Sequence, residues 1–218
     1  MKLLLVGMGP GMGMSIARQF GKNGFEVIMV ARSQDKLADY VAELKKEEIN
    51  SSGYVANLAD EASFSKTLNT ILAEHTEIDI LHFNASAFNP AVPSEINLEL
   101  FVSDFKTGVL SALQAVQAVL PGMKSRKSGA IFMTGGGTAF QAPAALASLG
   151  VSKAAMRNLL FSVAEEAKPF GIKVGTVTVC GMIAPGSFYD PNAIAAAFWE
   201  MYTSDPEKMD VERIWKED

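Results

Sequence analysis

The stretch Lys2-Leu3-Leu4-Leu5-Val6-Gly7-Met8-Gly9-Pro10-Gly11-Met12-Gly13-Met14-Ser15-Ile16-Ala17-Arg18-Gln19-Phe20 has three parts of different physical character. Its apolar run is of strand length, its middle is glycine-rich, and its end has the apolar spacing of a helix. A strand that breaks into glycines and re-emerges as a helix brings bare backbone against a phosphate. The helix N-terminus offers unpaired N–H groups and a partial positive charge, and residues without side chains let a pyrophosphate approach. A second strand at Glu26–Val30 completes a βαβ unit. A tight turn packed on a neighbouring element is the competing reading of such a cluster. The strand before it and the helix after it favour a nucleotide, held by Gly7, Gly9, Gly11, Met12 and Gly13.

Working outward, strand-length apolar runs fall at Lys2–Val6, Glu26–Val30, Ser52–Ala56, Ile78–Phe83, Ala130–Thr134 and Ile172–Val179, with a weak last one near Val211–Trp215. Helical periodicity falls between them, at Gly11–Asn23, Gln34–Glu48, Glu61–His75, Asn97–Met123, Ala145–Lys168 and Pro191–Tyr202. Near-continuous apolar strands alternating with helices predict a doubly wound parallel sheet, a three-layer αβα Rossmann fold. With no repeat, linker or low-complexity tract, residues 1–218 read as a single domain.

A formal net charge of −5, spread along the chain, argues against a nucleic-acid or anionic-membrane surface. Lys124-Ser125-Arg126-Lys127 reads as the cationic C-terminus of a helix. Cys180 is the single cysteine, and the histidines are His75 and His82, so no internal disulfide and no transition-metal site is expected. The apolar run after Lys2 is too short for a signal peptide and turns straight into the glycine loop. No segment has transmembrane length, and the expected setting is cytoplasmic.

Ligands of such sheets bind beyond the C-terminal ends of the strands, so the residues after each strand are the candidates. Ala31-Arg32-Ser33 follows the second. A carboxylate there would accept from the adenosine ribose hydroxyls and select NAD. A cation pairs with a 2′-phosphate, so Arg32 favours NADP, with NAD as the alternative and a solvated arginine as the plainer reading. Asn57-Leu58 after the third strand can flank an adenine ring or simply turn into the next helix. After the fourth, Asn84-Ala85-Ser86 are small enough for close passage of a cofactor, and Asn84 can tie neighbouring strands. Thr134-Gly135-Gly136-Gly137-Thr138 follows the fifth and can lie against a flat ring, and Lys153 on the next helix reaches the same crevice.

These motifs resemble the short-chain dehydrogenase/reductase family over almost the whole chain. Gly7, Gly11 and Gly13 are similar to its cofactor fingerprint, and Ala31-Arg32-Ser33 to its NADP-preferring members. Asn84-Ala85 resembles the latter part of its Asn-Asn-Ala-Gly motif, with Phe83 and Ser86 departing at the ends. Ser152-Lys153 resembles the end of its Tyr-x-x-x-Lys motif. Cys180-Gly181-Met182-Ile183 falls where its Pro-Gly loop closes over nicotinamide, which implies Gly181 and Ile183 as cofactor contacts. The resemblance implies hydride transfer between nicotinamide and a carbonyl or alcohol. In the family a tyrosine moves the proton, a lysine lowers its pKa and binds the nicotinamide ribose, a serine holds the substrate oxygen, and an asparagine supports a water relay.

Three of those four groups are missing. Leu149 stands four residues before Lys153, the serine position falls in Gly135-Gly136, and the asparagine position falls on Phe105. Only Lys153 remains as a catalytic candidate, as an acid if burial lowers its pKa or as a ribose ligand. Among the tyrosines, Tyr40 and Tyr54 belong to the adenine side and Tyr202 to the late helix. Tyr189 alone lies where it can approach a substrate, against the blander reading of surface packing. Thr134 or Thr138 can replace the serine as a donor. His82 reads as a hydrogen-bonded core residue and Cys180 as a small apolar packer. Apolar residues around Val109–Leu120 and Ala154–Val163 predict either a homodimer or homotetramer, as the resemblance implies, or cover within the chain. Two functions compete: an oxidoreductase on an unknown carbonyl or alcohol with a non-standard or absent proton donor, and a non-catalytic nucleotide-binding sensor or interaction protein.

Overall fold

The computed structural model describes residues 1–217. Its strands are β1 (Lys2–Val6), β2 (Glu26–Ala31), β3 (Ser51–Val55), β4 (Ile80–Phe83), β5 (Ala130–Gly136), β6 (Lys173–Val179) and β7 (Glu212–Trp215). They form one sheet in the order β3-β2-β1-β4-β5-β6-β7, parallel at every pairing. The helices are α1 (Met12–Gly21), α2 (Gln34–Lys46), α3 (Glu61–His75), α4 (Leu98–Phe105), α5 (Ser111–Arg126), α6 (Ala147–Ala167) and α7 (Pro191–Thr203).

Side chains of a strand alternate between faces, and both faces here are covered. Leu4, Val6, Ile28, Val30, Leu81, Phe83, Ile131 and Met133 pack with Phe64 of α3, Val116 of α5 and Leu160 of α6. Leu3, Leu5, Val27, Met29, Ile80 and Phe132 pack with Phe20 of α1, Leu37 of α2 and Phe198 of α7. Each fully buried aliphatic or aromatic side chain of this kind contributes about 1.5–3 kcal/mol. The result is the expected αβα Rossmann fold.

Most boundaries shift by one or two residues from the sequence reading, and three differences bear on the site. β4 starts at Ile80, two residues late, with Asp79 turned aside to accept from the Lys2 backbone N–H at 2.6 Å. β5 runs on through Gly135 and Gly136, which pair with Thr178 and Val179. The helix expected over Asn97–Met123 is interrupted: α4 ends at Phe105, Lys106–Leu110 form a π turn in which the Ser111 N–H reaches the Lys106 carbonyl, and α5 then continues. Gly108 sits in that turn, where a Cβ would stand 3.3 Å from the Ser152 Cβ of α6. Glycine is a weak helix former, and here its bareness permits the approach of α6. The basic Lys124–Lys127 segment does end a helix, with Lys127 in the left-handed conformation.

Candidate cofactor cleft and active site

β1 has β2 on one side and β4 on the other, so the strand order reverses at β1 and β4, and the crevice opens at their C-terminal ends. Gly7 follows β1 and Asn84 follows β4, and the two are tied together. The Gly7 and Met8 N–H groups both donate to the Val30 carbonyl at 3.0 Å, the Asn84 N–H donates to the Val6 carbonyl at 2.8 Å, and Asn84 Nδ2 donates to the Gly7 carbonyl at 2.9 Å. Gly7 has φ +93°, and a Cβ there would stand 2.6 Å from the Ala85 Cα. Only glycine satisfies both constraints.

At Gly9 and Gly11 the reason for glycine is different. A Cβ at either would meet nothing within 4 Å, so the protein itself leaves this space open. Ser33, Asp60, Asn97 and Asp190 cap α2, α3, α4 and α7 with side-chain oxygens, whereas α1, preceded by Gly11, has no side-chain cap, as is also true of α5 and α6. The Met14 N–H donates to the Gly9 carbonyl at 2.9 Å, and those of Met12 and Gly13 are left for something else to satisfy. Gly13 packs against Met8, and Met12 is buried beside it.

A cleft of about 620 Å3 runs from this loop, lined on one wall by Gly7, Met8, Ala31, Arg32, Asn57, Leu58, Asn84, Ala85 and Ser86. Arg32 is exposed at its rim and makes no ion pair among the described residues. Ser33 is occupied as a helix cap, Asn57 Oδ1 accepts from the Ala59 N–H at 3.2 Å, and Leu58 is buried in the core. The open glycines, the uncapped helix, the unpaired guanidinium and the cleft fit a dinucleotide.

The end of β5 is built differently. Lys153 is buried on α6, and its ammonium donates to the Thr134 carbonyl at 2.7 Å. Burial lowers its pKa to about 8. The Thr134 hydroxyl turns the other way, to His82 Nε2 at 3.0 Å. His82 is fully buried in β4, and burial pushes its pKa down to about 3, so it is a neutral core residue. Thr134 therefore supplies its backbone, not its hydroxyl. The Thr138 hydroxyl is buried and has no partner among the described residues.

The glycines after Thr134 can now be told apart. A Cβ at Gly135 would lie 2.5 Å from the Thr178 hydroxyl, and one at Gly137 would lie 2.8 Å from the Cys180 Cα. At Gly136 the nearest atoms are the Lys153 side-chain carbons at 3.4 and 3.5 Å, an ordinary contact. Of the three, only Gly136 has room for a side chain. Leu149 is half-buried one turn before Lys153, and Phe105 is half-buried at the last residue before the π turn.

No tyrosine takes the vacant place. The Tyr189 ring lies against Gly181, where it would collide with any Cβ, and its hydroxyl donates to the Cys180 carbonyl at 3.2 Å while accepting from the Glu217 N–H at 3.2 Å. Gly181 is thereby pinned beneath Tyr189, and Ile183 packs on the core. Tyr54 bonds Glu74 and His75, and Tyr202 reaches Met1. Burial raises the pKa of Cys180, which makes it a poor thiolate. The residues Tyr189 and Cys180 line a second cleft of about 640 Å3 beside β7, with Phe140 and the ion-paired Arg157 and Glu212.

Sequence reasoning missed one cluster. Asp104 lies in the wall of the first cleft, 4% exposed, accepting from Asn89 Nδ2 at 2.6 Å and from the Ser148 hydroxyl at 2.7 Å. An acid on the buried side of the segment Leu98–Phe105 was the available signal. On the outer surface, α5 is covered within the chain by α3 and α6, while Leu98, Leu100 and Val102 of α4 and Val151 and Phe161 of α6 stay exposed. No helix among the described residues is long and apolar enough to cross a membrane, and among them no cluster of His, Cys, Asp and Glu could hold a metal ion.

Against known proteins, the short chain dehydrogenase family model matches residues 2–189. The chain belongs to the short chain dehydrogenase family. "Dehydrogenase/reductase SDR family member 4" of Mus musculus is 28% identical over 211 residues, covering 94% of this chain and 72% of that protein. The Rattus norvegicus protein of the same name is 29% identical over 178 residues, 81% of this chain and 61% of its own length. A metagenomic short-chain oxidoreductase solved in complex with NADP superposes with a TM-score of 0.89 at 21% identity, over 98% of this chain and 95% of that one.

Proposed function

We propose that the protein binds NADP(H) in the first cleft and is an oxidoreductase of the short-chain type acting on a carbonyl/alcohol pair without the usual proton-donating tyrosine. The observation that carries the reading is the cradle of Gly7, Gly9, Gly11 and uncapped α1 at the β1/β4 switch point, with unpaired Arg32 at its rim. Arg32 pairs with a 2′-phosphate, which selects NADP over NAD. The NADP in the metagenomic neighbour's structure is consistent with this choice.

Bound NADPH would supply the hydride. Lys153 holds its ammonium at the end of β5 with one donor spent on Thr134, leaving two for ribose or substrate oxygens. Its lowered pKa makes a proton available near neutral pH. NADPH oxidation over a panel of ketones and aldehydes tests this. Turnover that Lys153→Ala reduces at least tenfold is expected, and background rates throughout with no effect of that substitution would refute it.

A second reading rests on Leu149, Gly136 and Phe105. With those groups gone the same cleft serves a non-catalytic sensor that binds NADP(H) and acts through a partner. Tight NADPH binding without turnover on any substrate would favour it. The exposed apolar faces of α4 and α6 fit a homodimer or homotetramer, which sedimentation would show.

A further inference from the structure

Resting on the reading of the first cleft as the dinucleotide site, we infer that Asp104 is a positioning residue, a clasp that fixes the cleft wall made by the loop after β4 and so sets dinucleotide affinity. That wall consists of residues 85–88. Its near end is fixed at Asn84, whose N–H and side-chain amide donate to the Val6 and Gly7 carbonyls. Its far end is Asn89, exposed as a residue, yet with its amide nitrogen 2.6 Å from Asp104 Oδ1. Pro90 follows. A residue before proline is confined to extended conformations, so holding the Asn89 side chain also sets the direction of the chain there. Beyond it, the Ala91 N–H donates to the Ala145 carbonyl at 3.0 Å.

Asp104 can hold the loop because its other oxygen is itself held. Asp104 Oδ2 accepts from the Ser148 hydroxyl at 2.7 Å, and Ser148 lies in the first turn of α6, the helix that carries Lys153. Gly108 permits α6 to come this close, since a Cβ there would stand 3.3 Å from the Ser152 Cβ. The two oxygens of one planar group thus join the cleft loop to the Lys153 helix. Asp104 and Ser148 are both buried, so water does not compete for the second bond. The clasp acts by geometry, through Asn89 and Ser148, without touching a ligand. When it is lost, residues 85–90 are free between Asn84 and Ala91, and the bound dinucleotide has to order them at an entropic cost. Residues 85–89 carry no charge, so the loss falls equally on NADPH and NADH, unlike a loss at Arg32.

The test compares Asn89→Ala, Asp104→Leu and Asp104→Asn with the unmodified protein in two ways. One is calorimetric titration with NADPH and with NADH, and the other is deuterium uptake of the unliganded segment 84–92. Leucine fills the volume of the aspartate and accepts nothing. Asparagine keeps both bonds, its oxygen accepting from Asn89 and its amide donating to the Ser148 oxygen. Asn89→Ala and Asp104→Leu are expected to weaken both dinucleotides roughly tenfold and to speed uptake in 84–92, while Asp104→Asn behaves as the unmodified protein. A merely structural Asp104 would lower the melting temperature and move neither readout. Unchanged affinity or unchanged uptake in Asn89→Ala overturns the inference, and its exposed site keeps that arm decisive even if Asp104→Leu does not fold. A loss confined to one dinucleotide, or an Asp104→Asn protein as weak as Asn89→Ala, overturns it too. An unmodified protein that binds neither dinucleotide overturns the reading of the cleft instead, and the uptake arm, which needs no dinucleotide, tells the two failures apart.

Discussion

The two halves of the crevice follow opposite rules. Around β1 and β4 the geometry is made by backbone: Gly7 at positive φ against Ala85, Asn84 tying Gly7, and open space at Gly9 and Gly11. Around β5 and α6 the resemblance assigns the chemistry to side chains, and on our reading Gly136, Leu149 and Phe105 stand at three of the four positions. A fold can therefore keep the shape of a cofactor cradle while its reactive groups drift. The shape is enforced by packing and backbone sterics, whereas the reactive groups stand at half-buried positions where a leucine or a glycine is tolerated.

The comparison breaks most visibly at Gly7. Gly7→Val forces a side chain into Ala85 at a positive φ, and we expect a loss of about 4 kcal/mol in urea unfolding from strain and overpacking together, with no heat on NADPH titration. Unchanged stability would show that the cradle is not set by sterics. The opposite half sharpens it: the triple substitution Gly136→Ser, Leu149→Tyr and Phe105→Asn should raise carbonyl reduction roughly 100-fold or more. A Cβ at Gly136 stands at ordinary contact distance from the Lys153 side chain, and no gain in rate would mean that the cofactor does not reach this end.

Lys153 gives a smaller, pH-dependent effect. Its pKa is about 8 in the folded protein against 10.5 for a free lysine, so the unfolded chain holds the proton more tightly between those values. Folded stability should rise with pH across that window, by on the order of 3 kcal/mol in all. Lys153→Met should lack the rise, and identical profiles of the two proteins would contradict the burial of a charged lysine. Smallest is Arg32→Ala, expected to weaken NADP binding roughly tenfold to a hundredfold while leaving NAD unchanged. An equal loss for both cofactors would assign Arg32 to structure.

The fold was legible because its signals are periodic. Leu3 to Val6 and Val27 to Val30 read as strands buried on both faces, and the glycine loop declared the turn between strand and helix. The π turn was not legible, since Lys106–Leu110 carries the same apolar spacing as the α-helices on either side of it and only its contact with Ser152 explains Gly108. In the site, the loop glycines, Arg32 and Asn84 stand where their neighbours in sequence placed them. Thr134 did not behave as read, because its hydroxyl is taken by His82, a partner 52 residues away. Asp104 escaped notice for the same reason. Its meaning comes from Ser148 and Asn89, which the sequence separates and the packing of α4 on α6 brings together.

Calorimetric titration of the unmodified protein with NADPH and with NADH tests the central claim most directly. The cradle at Gly7 with Arg32 at its rim predicts one site per chain that binds NADPH at least roughly tenfold more tightly than NADH. Absence of heat with either dinucleotide, or tighter binding of NADH, would contradict it.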